Sequence, residues 1–207
     1  ILVEGQTDFL RLVEQEFDNV LATSGTAFSS KHAIALKKYT NRVILCYDSD
    51  SAGINAAIRT SYVLLQNGIE TRVLHLGNGD DPDDFFKKDS TTKEDFRTLI
   101  KEAAHPISFI ITQKDILSQG AADQSKFLNE CIGEIQLVPD VMIRNDLIRK
   151  LSNALGVVEA EIFDRFSSLK QKRYNVSNEE DTSTTAATHY NSSADKAQLE
   201  LIKLALH

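Results

Sequence analysis

Arg42-Val43-Ile44-Leu45-Cys46-Tyr47-Asp48-Ser49-Asp50-Ser51-Ala52-Gly53 is the stretch from which the fold is read. A short run of β-branched and aliphatic residues, a strand signal over Arg42–Tyr47, ends abruptly in two carboxylates. A helical pattern follows at once and runs over Ser51–Asn67, with Ser51 as a natural N-cap and Gly68 where a C-cap belongs. The small residues Ala52, Gly53, Ala56 and Ala57 let this helix lie close to the strand it leaves.

Outward from this unit the same alternation repeats. Strand signals lie at Ile1–Val3, Asn19–Ala22 and Glu70–Leu76, with helical patterns at Thr7–Glu16 and Ser30–Tyr39, the latter capped by Ser30. A β-α-β-α order implies a mainly parallel sheet with right-handed crossovers and helices on its faces. From Thr91 onward the pattern is helical only. Thr91 with Glu94 fits a capping box, and apolar residues from Ile107 through Phe127, Leu128 and Ile132 to Leu147, Leu151 and Leu155 keep the helical period. The expected fold class is thus an α/β domain followed by an all-α helical subdomain, divided as 1–90 and 91–166. Residues 167–194 are rich in Ser, Thr, Asn and Glu and bury too little to offset ordering entropy, so a disordered linker is expected there. Ala197, Leu199, Leu201, Ile202 and Leu204 then open an amphipathic helix, the start of a further domain over 195–207.

Composition narrows the function classes. The 207 residues carry 23 basic and 30 acidic side chains, a formal charge of −7, with 42% hydrophobic and 26% charged residues. Those are ordinary values for a globular protein, and no apolar run approaches the roughly 18 residues of a membrane span. Cys46 and Cys131 form no CxxC pair, which argues against a zinc ribbon or a secreted disulfide framework and for a reducing cytoplasm. The acidic balance argues against a whole-chain nucleic-acid clamp but leaves room for a site that reaches phosphates through metal ions. The chain opens on Ile1-Leu2-Val3 without an initiator Met or signal peptide, and reads as a fragment whose upstream part is missing.

The chemistry-bearing residues stand at strand ends. Ile1–Val3 runs into Glu4, Arg42–Tyr47 into Asp48 and Asp50, and Glu70–Leu76 into Gly79-Asp80-Asp81-Pro82-Asp83-Asp84. In a parallel α/β sheet ligands bind beyond the carboxyl ends of the strands, so the three acidic turns share one edge. Two unit charges about 4 Å apart repel by roughly 4 kcal/mol at an effective dielectric near 20, so protonation or bound cations must relieve such a cluster. An all-oxygen donor set suits Mg²⁺ or Mn²⁺ and not zinc, and such sites commonly flank phosphoryl transfer. Taken singly, Glu4-Gly5 is a turn, Asp48-Ser49-Asp50 a cap and Asp81-Pro82-Asp83 a loop; their joint occurrence in order favours function. Asp8, one helical turn beyond Glu4, either faces the cluster or caps its helix. His32, His75 and His105 lack partners at metal-ligand spacing, Cys46 reads as a buried small hydrophobe, and Gly25-Thr26 is a turn first and a phosphate-binding backbone second.

Four ordered motifs carry a family resemblance: Val3-Glu4-Gly5-Gln6-Thr7-Asp8, Ala22-Thr23-Ser24-Gly25-Thr26-Ala27, Cys46-Tyr47-Asp48-Ser49-Asp50-Ser51-Ala52-Gly53 and Gly79-Asp80-Asp81-Pro82-Asp83-Asp84. Together they resemble the Toprim core of bacterial replicative DNA primases. His105-Pro106-Ile107, Val138-Pro139-Asp140 and Leu155-Gly156-Val157 are similar to that family's helical subdomain, so the likeness covers about residues 1–166.

The resemblance implies a DNA-directed RNA polymerase that makes short RNA primers on single-stranded DNA from ribonucleoside triphosphates by two-metal nucleotidyl transfer. It maps metal-binding acids onto Glu4, Asp48, Asp50, Asp81 and Asp83, with Asp8 close by; Glu4, Asp48 and Asp50 are the catalytic candidates and Gly25 and Thr26 the nucleotide-binding ones. Mg²⁺ or Mn²⁺ is the implied cofactor, with zinc only in a preceding module. A replicative helicase, met through a following domain, is the implied partner, and a cytoplasmic, membrane-free monomer the implied state. The family has Gly and often Arg where this chain has Ser49 and Ser51. A type IA topoisomerase would continue the second motif as Asp-x-Asp-Arg-Glu-Gly and supply a Tyr nucleophile downstream; a haloacid dehalogenase phosphatase is disfavoured by Ala52. A metal-dependent Toprim nuclease and a non-catalytic Toprim scaffold are the remaining alternatives, the latter disfavoured because a scaffold has no need of mutually repelling acids.

Overall fold

The computed structural model describes residues 1–77 and 79–168. Four strands, β1 (Leu2–Val3), β2 (Leu21–Ala22), β3 (Arg42–Cys46) and β4 (Glu70–Val73), form one sheet in the order β2-β1-β3-β4 with every pairing parallel. Helices α1 (Gln6–Glu14), α2 (Ser30–Leu36) and α3 (Ser51–Gln66) make the crossovers. The α/β expectation is met, and the strands are shorter than their apolar runs: β2 begins at Leu21, and β4 ends at Val73, which forms an antiparallel bridge to Ala104.

The caps fall one residue earlier or later than the sequence signals. Ser29, not Ser30, stands at the α2 N-cap, where its N–H donates to His32 Nδ1. Asp50, not Ser51, caps α3 by accepting from the Gly53 N–H at 2.7 Å. Thr92 with Asp95, not Thr91 with Glu94, forms the box of α5 (Lys93–Glu102). Each shift has one cause: several neighbouring Ser, Thr and Asp residues can cap, and the one whose backbone is extended at the turn does so. Gly68 follows the α3 C-cap in the left-handed region, φ 72°, as its position predicts.

Two features escape the sequence pattern. The acidic loop after β4 winds into a short helix, α4 (Pro82–Lys87), with Asp81 as its N-cap accepting from the Asp84 N–H and Pro82 in the first turn. Helix α5 packs on the sheet: Phe96, fully buried, meets Phe17 and Phe85 edge-on or tilted in a cluster that also holds Val3, Leu12, Cys46 and Leu74. The opposite face of the sheet shares one core with the helical region. That region comprises α6 (Pro106–Gln113), a 3₁₀ turn (Ile116–Ser118), α7 (Ala121–Ile135) and α8 (Val141–Leu155), followed by helix over 159–168. Leu45, Leu64 and Ile69 pack into the same cluster as Ile107, Ile110, Ile132 and Leu147. A division at residue 90 therefore coincides with no break in packing. Residues 167 and 168 continue the last helix; the rest of the expected linker and the 195–207 segment lie outside the described residues. Among the described residues no helix is long and apolar enough to cross a membrane.

Candidate active site

The parallel register decides where the acids meet. Leu2 and Val3 pair with Leu45 and Cys46 of β3, so β1 and β3 end level, with Glu4 and the Tyr47-Asp48 turn leaving the same edge of the sheet. The third acidic segment is tied in by the Ser49 N–H, which donates to the Asp80 carbonyl at 3.2 Å. On the other flank the Ser24 N–H donates to the Glu4 carbonyl at 3.1 Å, holding the Gly25-Thr26 turn beside β1. Close approach at this edge requires glycine: a Cβ on Gly53 would collide with the carbonyl oxygen of Asp48.

The carboxylates act on one another. Burial and then the charges of Asp48 and Asp50 raise Glu4 above the ordinary Glu range, with the Arg59 guanidinium opposing. Burial, then Asp81 and Asp50, raise Asp48. Asp8, 2% exposed, is pushed up to about 6 by burial and then by Asp81, although the backbone N–H groups of Gly5 (3.1 Å) and Asp83 (3.4 Å) donate to it. The structure thus brings Glu4, Asp8, Asp48, Asp50 and Asp81 into one field. Asp50 and Asp81 also cap α3 and α4, each accepting through Oδ1.

Asp83 is not in that group. Its Oδ1 accepts from Arg11 Nε at 2.7 Å and its Oδ2 lies 2.6 Å from Lys87 Nζ, and these cations hold it below the usual Asp range. Gly25 and Thr26 stand on the Glu4 side of the site, on the wall of a cavity of about 370 Å³ whose lining includes Glu4, Tyr47, Arg59 and Thr60. His105 caps α6, accepting from the Ile107 N–H, and Cys46 is fully buried, so both fill structural roles.

Two cations at this edge, Arg59 and Arg11, went unread in the sequence, and Ser49 was read only as a departure from the family pattern. Arg59 lies on the α3 face shared with Ala56 and Val63, a spacing that the helical period could have supplied. Arg11 follows Asp8 by one turn on α1. The Ser49 hydroxyl, buried without a hydrogen-bond partner, has no sequence signal at all.

Glu4 Oε2 is likewise buried without a partner. An unsatisfied buried carboxylate oxygen amid raised acids is what a hard cation relieves, and the all-oxygen donor set matches Mg²⁺ or Mn²⁺. The residues fit such an ion in chemistry, although among the described residues no three His, Cys, Asp or Glu side chains form a ready-made cage.

Known proteins agree with this architecture. The Toprim-like family pattern matches residues 1–86. The DNA primase of Clostridium acetobutylicum is 32% identical over 182 residues, 84% of this chain and 29% of that protein. The crystal structure of the Aquifex aeolicus primase, comprising its zinc-binding and RNA polymerase domains, superposes with a TM-score of 0.62 at 28% identity, over 78% of this chain and 38% of that one. A DnaG primase catalytic domain bound to single-stranded DNA superposes with a TM-score of 0.65 at 27% identity, over 78% of this chain and 52% of that one. The chain therefore spans less than a third of the length of the curated primase that it matches. The shared Toprim-like region, the primase relatives and the common fold support reading this chain as a DnaG-type primase Toprim portion with its adjoining helices.

Proposed function

We propose that this chain carries the nucleotidyl-transfer centre of a DNA primase, which joins ribonucleotides into short RNA primers on single-stranded DNA. The observation that supports it most is the convergence of Glu4, Asp8, Asp48, Asp50 and Asp81 at the carboxyl edge of a parallel sheet, with Glu4 Oε2 buried and unpartnered. Asp48 and Asp50, from the β3 end, and Glu4, from the β1 end, would hold Mg²⁺ or Mn²⁺, with Asp81 at the start of α4 and Asp8 on α1 closing the site. A divalent ion bound there supplies positive charge that lowers the pKa of an attacking hydroxyl and neutralises a leaving pyrophosphate.

The chain's own groups do the rest. Glu4, held above the ordinary Glu range, is suited to accept the proton of the primer 3′-hydroxyl or to act as a ligand. The cavity beside it offers Arg59 for phosphate and the Gly25-Thr26 turn as a backbone donor. Template DNA needs cationic contacts that a chain of −7 supplies sparsely, so those contacts are assigned to other parts of the protein, as is zinc. Nucleoside triphosphates as substrates, a replicative helicase as partner, a monomeric state and a cytoplasmic location complete the reading.

Mn²⁺ titration calorimetry on this chain, together with primer synthesis by the full-length enzyme, tests it. Asp48→Asn is expected to abolish both metal binding and synthesis while template binding stays unchanged. Full activity in Asp48→Asn, or a loss traced wholly to weaker DNA binding, would refute the assignment. Metal-dependent cleavage of DNA without primer synthesis would favour a Toprim nuclease instead.

A further inference from the structure

We propose that Arg11 is a positioning residue that keeps the Asp83 carboxylate out of the acid cluster until a divalent ion draws it in. Metal loading then exchanges an ion pair for a coordination bond. The inference rests on the metal-binding reading above and concerns how that site is filled.

Both oxygens of Asp83 are engaged by cations, Oδ1 by Arg11 Nε at 2.7 Å and Oδ2 by Lys87 Nζ at 2.6 Å. Its backbone nonetheless stands at the cluster, because the Asp83 N–H reaches Asp8 Oδ1 at 3.4 Å. What sets Asp83 apart from the other acids is the pair of cations that holds its carboxylate. Asp8 and Arg11 are three residues apart on α1, so adjacent turns of one helix present a carboxylate to the cluster and a guanidinium behind it. Arg11 also pairs with Glu14 at 3.0 Å, which keeps the guanidinium seated when Asp83 leaves.

Electrostatics gives the arrangement its sense. Glu4, Asp8 and Asp48 are already disfavoured as anions by burial and by one another, and a further free carboxylate would add to that repulsion. Lys87 and Arg11 together neutralise the Asp83 charge at the metal-free edge, and Arg11 reaches it from the helix that carries Asp8. A divalent ion reverses the balance, because its attraction for a nearby carboxylate exceeds that of a partly exposed ion pair, which is screened by water. The Arg11 side chain is 30% exposed and that of Asp83 17%, so the pair is strong enough to set the resting state and weak enough to yield.

The test is a double-mutant cycle read as Mn²⁺ affinity by titration calorimetry on the 207-residue chain: wild type, Arg11→Gln, Asp83→Asn and the double variant. Arg11→Gln is expected to tighten Mn²⁺ binding about two- to fivefold, the range that ion pairs of this exposure contribute. Asp83→Asn is expected to weaken it, and in that background Arg11→Gln is expected to change nothing. Arg11→Lys, which keeps the charge and guards against a folding defect, is expected to return affinity towards wild type. A gain of equal size in both backgrounds would show only a general field effect and overturn the proposal, as would unchanged affinity in Arg11→Gln. Absence of Mn²⁺ binding in both wild type and Arg11→Gln would instead overturn the metal-binding reading itself, and the proposal with it.

Discussion

Gly53→Ala is the most direct test of how the site edge is built. Replacing an interior helical glycine by alanine ordinarily stabilises a protein, by about 1 kcal/mol from helix propensity. Gly53 lies in the first turn of α3, buried, and an added Cβ there would overlap the carbonyl oxygen of Asp48 and stand 2.9 Å from both its carbonyl carbon and its Cβ. Those atoms are backbone and the root of a side chain, so they give way only if α3 tilts off the end of β3. Overpacking of this kind costs about 1–3 kcal/mol, and more where backbone must move. Because the clash is with backbone, the cost falls at the upper end of that range, and set against the propensity gain the net expectation is a loss of about 2 kcal/mol, or roughly 4–8 °C in melting temperature for a domain of this size. The assay is thermal unfolding by circular dichroism in EDTA, with Gly120→Ala as control. Gly120 has nothing within 4 Å of its added Cβ, so its substitution meets no clash and is expected to cost only the preference for Gly over Ala at the α7 N-cap, less than about 1 kcal/mol. Because the tilt carries the Asp50 cap with it, Gly53→Ala is also expected to weaken Mn²⁺ binding. A Gly53→Ala chain as stable as wild type would refute the close-approach argument.

Other expectations follow from individual contacts. Asp8 holds its proton in the folded state up to about pH 6 against an ordinary 3.8, so wild type should lose up to about 3 kcal/mol of stability as pH rises from 4 to 6 and lose no more from this group above that. Asp8→Asn should remove that slope and be the more stable at pH 8 in EDTA, with the gain reduced by the altered bonds to Gly5 and Asp83; denaturant midpoints at pH 4, 6 and 8 check it, and equal slopes in both proteins would count against it. Phe96→Ala should cost about 3–5 kcal/mol in urea unfolding, since the ring is fully buried between Phe17 and Phe85; a small loss would mean that α5 is peripheral to the core. Asp140→Ala should cost about 1 kcal/mol by stripping the α8 N-cap, which accepts from the N–H groups of Met142 and Ile143, and Asp140→Ser should recover most of it.

The sequence by itself determined the element order and the place of the acids along it. Period-2 and helical apolar patterns are local, and a β-α-β-α alternation leaves a parallel sheet as the simple way to bury them, so Glu4 and Asp48 were legible as residues leaving one edge of the sheet, whereas Asp81 stands beyond the end of β4 at the start of α4. What each acid does there was decided only in three dimensions. Ser29 or Ser30, Asp50 or Ser51, and Thr92 or Thr91 are equivalent as letters, and the backbone angle at the turn chooses between them. Asp81 and Asp83 look alike in Asp81-Pro82-Asp83, yet one caps α4 within reach of Asp48 while the other turns to Arg11, 72 residues earlier in the chain. Long-range pairing of that kind has no period and leaves no local trace. The same holds for α5, whose amphipathic pattern is that of any surface helix; only the packing of Phe96 on Phe17 and Phe85 assigns it to the sheet. Local patterns report what a segment prefers, whereas charge pairing and ring packing depend on which distant segments the folded chain sets side by side.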